Sequence, residues 1–148
     1  LRDTTLTHVE QLRGELGPAL TARARHVILE SQRVMMVADA LSREDYETVG
    51  FLMHESHRSL RDEFEVSCDE LNTLVESAMK HKGVLGARMT GPGLGGCSVT
   101  LVRTEQLEAL SEHLRREYKK AHDAECTCHP VIPVAGAKSV PIVPKFGQ

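Results

Sequence analysis

Residues 84–102 read VLGARMTGPGLGGCSVTLV, and the order of residue types in this stretch decides the architecture. Val84 to Thr90 and Cys97 to Val102 are short runs of β-branched and apolar residues, the composition of half-buried strands. Between them, Gly91-Pro92-Gly93-Leu94-Gly95-Gly96 places four glycines in six positions. Glycine has no Cβ, so such a segment can take positive φ and lie against another molecule with no side chain in the way. The expectation is two neighbouring strands joined by a glycine-rich loop.

Upstream the period is helical. Leu6 to Leu16 carries a short helical pattern broken by Gly17-Pro18, with Pro18 suited to the first turn of the next helix. That helix is expected to run to about Leu41. Its residues Leu20, Ala24, Val27, Ile28, Val34, Met35, Ala38 and Leu41 recur at steps of three and four, which predicts a core-facing stripe with Arg23, Arg25, Glu30 and Arg33 turned elsewhere. The Met35-Met36 pair reads as core filler. Ser42 followed by Asp45 has the form of a capping box, which starts a third helix running to about Asp62. Ser67 and Glu70 repeat the signature before the stripe Leu71, Leu74, Val75, Ala78 and Met79, and Gly83 offers a left-handed stop.

Downstream, Thr104 can cap a helix carrying Leu107, Leu110, Leu114 and Tyr118. Cys126 to Val134 and Ala137 to Val143 then read as two weaker strands around Gly136, with Pro130, Pro133, Pro141 and Pro144 arguing for edges or irregular ends. The layout is α+β: several helices, then a small, mostly antiparallel sheet with a helix across it.

The bulk numbers narrow the function classes. At 148 residues the chain fits one domain, and 41% hydrophobic residues with only 3% aromatics imply a core of Leu, Val, Ala and Met. A net charge of −3, with basic residues interleaved among acids, gives no electrostatic reason to expect nucleic acid or an anionic membrane as partner. No apolar run approaches the roughly 20 residues of a membrane span. Four cysteines are too sparse for a disulfide scaffold, so the chain reads as cytoplasmic.

Amides in a glycine loop form a nest for anions, and phosphoryl transfer depends on positioning and charge stabilisation, so a backbone cradle at a strand end suits a nucleotide phosphate. The same glycines also fit a tightly packed hairpin tip. No Lys-Ser/Thr follows them as a P-loop requires, and the following strand excludes a dinucleotide fingerprint.

The flanking residues add a family. Arg88-Met89-Thr90-Gly91-Pro92-Gly93-Leu94-Gly95-Gly96-Cys97-Ser98-Val99-Thr100 closely resembles the third signature motif of galactokinases, within the superfamily of galactose, homoserine, mevalonate and phosphomevalonate (GHMP) kinases. Upstream, residues 55–68, ESHRSLRDEFEVSC, resemble the segment that galactokinases carry before that motif. The similarity extends to Arg23-Ala24-Arg25-His26-Val27 and to Gly136-Ala137-Lys138.

This resemblance implies a ferredoxin-like GHMP kinase carboxyl-terminal domain over residues 1–148, docked on its own amino-terminal domain, which carries the catalytic residues and lies outside this chain. It implies transfer of the ATP γ-phosphate to the anomeric hydroxyl of galactose with Mg2+, both bound mainly by the missing domain, and an inactive chain on its own. The contribution carried onto this sequence is Thr90, Gly91, Gly93, Gly95 and Gly96, acting through backbone amides, with Arg58 and Ser67 lining the cleft. No catalytic residue and no metal ligand is assigned.

Two departures stand out. Pro92 replaces a usual glycine, removes an amide donor and fixes φ near about −65°. If that position requires positive φ or that N–H, the loop must be rebuilt and activity is put in question even in a complete chain. Leu94 replaces a usual aromatic and is expected mainly to alter packing. Pro92 motivates the alternative of a non-catalytic, galactokinase-like sensor; a kinase for N-acetylgalactosamine is the other alternative, since sugar contacts lie in the missing domain.

Other candidates have plainer readings. His54 and His57 with Glu55 read as solvated or hydrogen-bonded side chains on a polar helix face. Arg58, Arg61 and Asp62 read as an ion-paired surface. His122, Cys126, Cys128 and His129 hold donor atoms dense enough for zinc, yet Cys-x-Cys in a strand puts both thiols on one face and reads as buried thiols. Cys68 and Cys97 read as packing residues.

Overall fold

A computed structural model describes residues 3–136. Helix α1 (Leu6–Gln11) starts at Thr5, whose hydroxyl accepts from the His8 amide while its own amide donates to His8 Nδ1. Helix α2 (Arg13–Ser42) is two helical pieces meeting at Gly17, whose φ of 72° and ψ of 171° make the predicted break. Helix α3 (Tyr46–Asp62) and helix α4 (Asp69–Met79) follow. Strands β1 (Val84–Thr90) and β2 (Cys97–Val102) pair antiparallel, Thr90 opposite Cys97, with a register irregularity between Val84 and Gly86. A 3-10 turn, Thr104–Gln106, leads into helix α5 (Leu107–His122). No helix among the described residues is long and apolar enough to cross a membrane.

Strand β1 lies against both α3 and α4, and its alternating side chains go opposite ways. Ala87 joins Val75, Ala78, Leu110 and Leu114 in the main core, edged by Met79, Val84, Val102 and Cys128. Gly86 faces α3, where it meets Gly50 backbone to backbone: a Cβ on Gly86 would lie 2.1 Å from the Gly50 carbonyl oxygen, and one on Gly50 2.1 Å from that of Leu85.

Helix α2 buries only part of the expected face. Ile28 of the expected stripe is buried, as are Thr21 and His26; His26 reaches Ser59 of α3, and the half-buried Glu30 turns to the same seam. Leu20, Val34, Met35 and Leu41 are exposed, so that part of the stripe and the Met35-Met36 pair do not fill the core. Val34 is 61% and Met35 71% accessible.

Local signals moved by a few residues. Asp45 alone caps α3, accepting from the Thr48 amide at 3.0 Å, whereas the Ser42 hydroxyl donates to the Asp39 carbonyl inside α2. Cys68 is the residue before α4 and no side chain caps it, because the Ser67 hydroxyl donates to Asn72 Oδ1 instead. Thr104 opens the 3-10 turn rather than capping α5. Gly83 does have positive φ, 83°, in the turn entering β1.

The expected strand from Cys126 to Val134 is not formed. Those residues are irregular, with Pro130 and Pro133 unable to donate to a ladder and Val131, Ile132 and Val134 exposed. The strand expected from Ala137 to Val143 lies outside the described residues. Among the described residues the sheet therefore has two strands.

Candidate functional site

The loop between β1 and β2 is built almost wholly from positive-φ backbone. Gly91 (85°), Gly93 (87°), Leu94 (58°), Gly95 (134°) and Gly96 (108°) all lie there, and Pro92 is the loop position that does not. The four glycines thus occupy a conformation that side-chain-bearing residues resist, while Pro92 keeps its ring-fixed negative φ and offers no amide donor. The Leu94 amide donates to the Val66 carbonyl at 2.7 Å, and Gly93 lies so close over Val66 that a Cβ there would sit 2.1 Å from the same oxygen. The loop is therefore seated on the α3–α4 connection.

Beyond that anchor the loop is open. Nothing lies within 4 Å of where a Cβ would stand on Gly91 or Gly95, and the amides of Gly91, Gly93, Gly95 and Gly96 have no acceptor among the described residues. Thr90 is exposed at the end of β1. Leu94, expected to alter packing, instead projects to solvent with 77% of its surface accessible. Its left-handed backbone costs a non-glycine residue about 1–2 kcal/mol.

Ser67 follows Val66 directly and so sits beside the loop's anchor, its hydroxyl held 2.7 Å from Asn72 Oδ1. Arg58, on α3, pairs with Glu55 at 2.7 Å and is about half exposed. Arg61 pairs with Asp62 and Glu76, as an ion-paired surface should.

Below the loop is a polar seam that the residue pattern did not reveal. Glu30 on α2 accepts from Ser56 Oγ at 2.5 Å, from Arg33 at 2.6 Å and from Arg88 at 3.1 Å. Burial alone would raise its carboxyl; hydrogen bonds from Ser56 and Arg33 and the charge of Arg88 outweigh that and hold it below the ordinary range. One turn earlier, His26 Nδ1 lies 2.8 Å from Ser59 Oγ, whose own proton goes to Glu63. The imidazole must therefore supply the hydrogen between them.

His57, expected to be solvated or hydrogen-bonded on a polar helix face, is hydrogen-bonded and fully buried. Its Nδ1 accepts from the Met89 amide at 3.3 Å, and its Nε2 is buried without a partner. Burial, and then the positive charge of Arg61, lower its pKa to about 4 from 6.5. Between those values the unfolded chain binds a proton that the folded chain refuses, so stability must fall as pH falls. We expect chemical denaturation to show a loss of about 3 kcal/mol from pH 7 to pH 4 attributable to this group, reduced in His57→Gln. An unchanged slope in that variant would contradict the assignment.

Cys126 and Cys128 lie in the irregular segment, where burial pushes the Cys126 thiol up and Cys128 packs on the core. His122 Nε2 contacts Thr73 Oγ1 at 2.9 Å, and no group of three or more His, Cys, Asp or Glu is arranged to hold a metal among the described residues. Cys97, expected to pack, is exposed. Of two concavities, one of about 670 Å³ lies between α5 and residues 125–127 with Arg115, Arg116 and Lys119 on its wall. The other, about 250 Å³, lies along α2 and is lined by His26, Val27, Glu30, Ser31 and Val34.

Residues 37–120 match the family model described as "GHMP kinases C terminal". Bovine galactokinase is 47% identical over 118 residues, covering 80% of this chain and 30% of its own length. Galactokinase from Clostridium acetobutylicum is 38% identical over 141 residues, covering 95% of this chain and 36% of its own length. The crystal structure of Lactococcus lactis galactokinase complexed with galactose superposes with a TM-score of 0.78 at 34% identity, over 83% of this chain and 32% of that one. Leishmania major mevalonate kinase in complex with R-mevalonate shares the fold, with a TM-score of 0.61 at 23% identity. The chain spans about a third of the length of the curated relatives it matches.

Proposed function

The chain belongs to the GHMP kinase family, and from that premise we propose that it serves as the carboxyl-terminal part of an ATP-dependent galactokinase, forming galactose 1-phosphate. The observation that carries this is the open positive-φ loop with four unengaged glycine amides, in a chain 47% identical to bovine galactokinase. Thr90, Gly91, Gly93, Gly95 and Gly96 present main-chain donors and space to the phosphate-bearing side of a cleft. The group that positions the sugar hydroxyl, the sugar contacts, Mg2+ and most of the ATP contacts belong to an amino-terminal domain outside these residues. In this reading the reaction draws on cytoplasmic ATP.

The exposed face of α2 supports the division of labour. Leu20, Val34, Met35 and Leu41 line one side of a long helix, with Tyr46 and Phe51 exposed on α3, and burying such side chains stabilises an interface by about 1.5–3 kcal/mol each. Covering them is the role assigned to the amino-terminal domain. The sensor alternative rests on Pro92, and the 38–47% identity to galactokinases favours the kinase reading over it.

The test mixes or co-expresses this chain with the amino-terminal half of a galactokinase and follows galactose 1-phosphate from ATP and galactose, with N-acetylgalactosamine in parallel. Turnover is expected from the reconstituted pair and from neither half alone. Robust turnover by this chain alone, or none from a stable reconstituted pair, would overturn the reading.

A further inference from the structure

The two peptide groups that flank Met89, where β1 enters the loop, are each held by a side chain. The Met89 amide donates to His57 Nδ1 at 3.3 Å, and the Met89 carbonyl accepts from Arg88 Nε at 3.0 Å. The Met89 side chain, 1% accessible, lies beneath the loop, its Cε 3.0 Å from where a Cβ on Gly93 would stand. Arg88 is held in turn by its other nitrogen, NH1, which reaches Glu30 Oε1 at 3.1 Å. That carboxylate is fixed by Ser56 of α3 and by Arg33 of its own helix.

We propose that Glu30, Ser56, His57 and Arg88 are positioning residues that fix the two peptide groups flanking Met89 and thereby the seat of the glycine loop. None of them lies in the loop, and Glu30 is 58 residues from Arg88. The arrangement needs arginine in particular. One guanidinium spans the Met89 carbonyl and the Glu30 carboxylate at once, whereas a lysine ammonium on its flexible stem cannot hold that fork. Glu30 also lines the concavity on α2, so whatever covers that face touches the same carboxylate that holds Arg88.

This assignment rests on the loop being the nucleotide-facing element, and its test is kept separable from that reading. In the isotope-labelled 148-residue chain, hydrogen exchange at the Leu94 amide would be compared among wild type, Glu30→Gln, Arg88→Lys and Ser56→Ala. Exchange at Leu94 is expected to quicken by roughly tenfold in the first two variants, while the amides of Val75 and Leu110 in α4 and α5 stay unchanged. Ser56→Ala removes one donor of three and gives a smaller change in the same direction, readable even if a charge variant fails to fold. Uniform acceleration at all amides, or none at Leu94, would overturn the proposal. In the reconstituted pair, Arg88→Lys should lower kcat with little change in KM for galactose, and an unchanged kcat would count equally against it. Absence of turnover in the wild-type pair would sink the functional reading while leaving the exchange pattern to decide the clamp.

Discussion

Gly86→Ala is expected to leave the chain largely unfolded. The added Cβ would stand 2.1 Å from the Gly50 carbonyl oxygen and 2.4 Å from its Cα, and these are backbone atoms that no rotamer change can move aside. Overpacking typically costs about 1–3 kcal/mol, and a backbone-to-backbone clash between α3 and β1 belongs at the upper end or beyond. With total stabilities of about 5–15 kcal/mol, that removes much of the margin. Gly50→Ala should do the same, since its Cβ would meet the Leu85 carbonyl. Gly14→Ala is the control: it sits in a helix with nothing within 4 Å, and alanine there should be neutral or stabilising by up to about 1 kcal/mol. Circular dichroism melting of the three variants decides the matter, and a Gly86→Ala chain as stable as wild type would show that the crossing has been misjudged.

Gly93→Ala should strike function and spare the fold. The substitution forces a side chain at φ of 87° into the Val66 carbonyl, 2.1 Å away, and so displaces the one hydrogen bond, from Leu94, that seats the loop. The main core of Val75, Ala78, Ala87, Leu110 and Leu114 includes no loop residue. A displacement on the order of 1 Å at a positioning element can cost about 100-fold in rate, so a loss of that size is expected in the reconstituted pair with the melting temperature nearly kept. Full activity in a folded Gly93→Ala pair would mean the loop's seat is irrelevant to the chemistry.

The hairpin was legible because its signals are local. Two β-branched runs flank a segment that only glycine could furnish, and the strand bounds Val84–Thr90 and Cys97–Val102 follow from composition. The stripe of α4 was legible for the same reason, since Leu71, Val75 and Ala78 are covered by elements of this chain. Helix α2 shows the limit. Periodicity identifies its apolar face but not what covers it, and a face that meets a body outside these residues looks the same in sequence as one that meets the core.

The seam beneath the loop was hidden by a related ambiguity. Glu30, Ser56 and His57 are residue types that normally face water, and only the packing of α3 on α2 and β1 reveals that Ser56 bonds Glu30 and that His57 accepts from the Met89 amide. The nearest signal in the sequence is Ser56-His57 followed by Ser59, small polar residues at helical spacing where a long charged side chain would be ordinary. The segment from Cys126 to Val134 failed as a strand for a plain reason. Its apolar residues alternate with prolines that cannot join a ladder.

The central claim is that the glycine amides of this loop face the nucleotide or sugar while the reacting groups come from the other half. The most direct measurement is the amide chemical shift of Gly91, Gly95 and Gly96 in the labelled chain, reconstituted with an amino-terminal galactokinase half and titrated with MgATP and galactose. The account predicts saturable shifts at those three glycines, with the amides of Arg115 and Lys119 in the α5 concavity unmoved. Turnover by the pair with all three glycine signals unperturbed would contradict it.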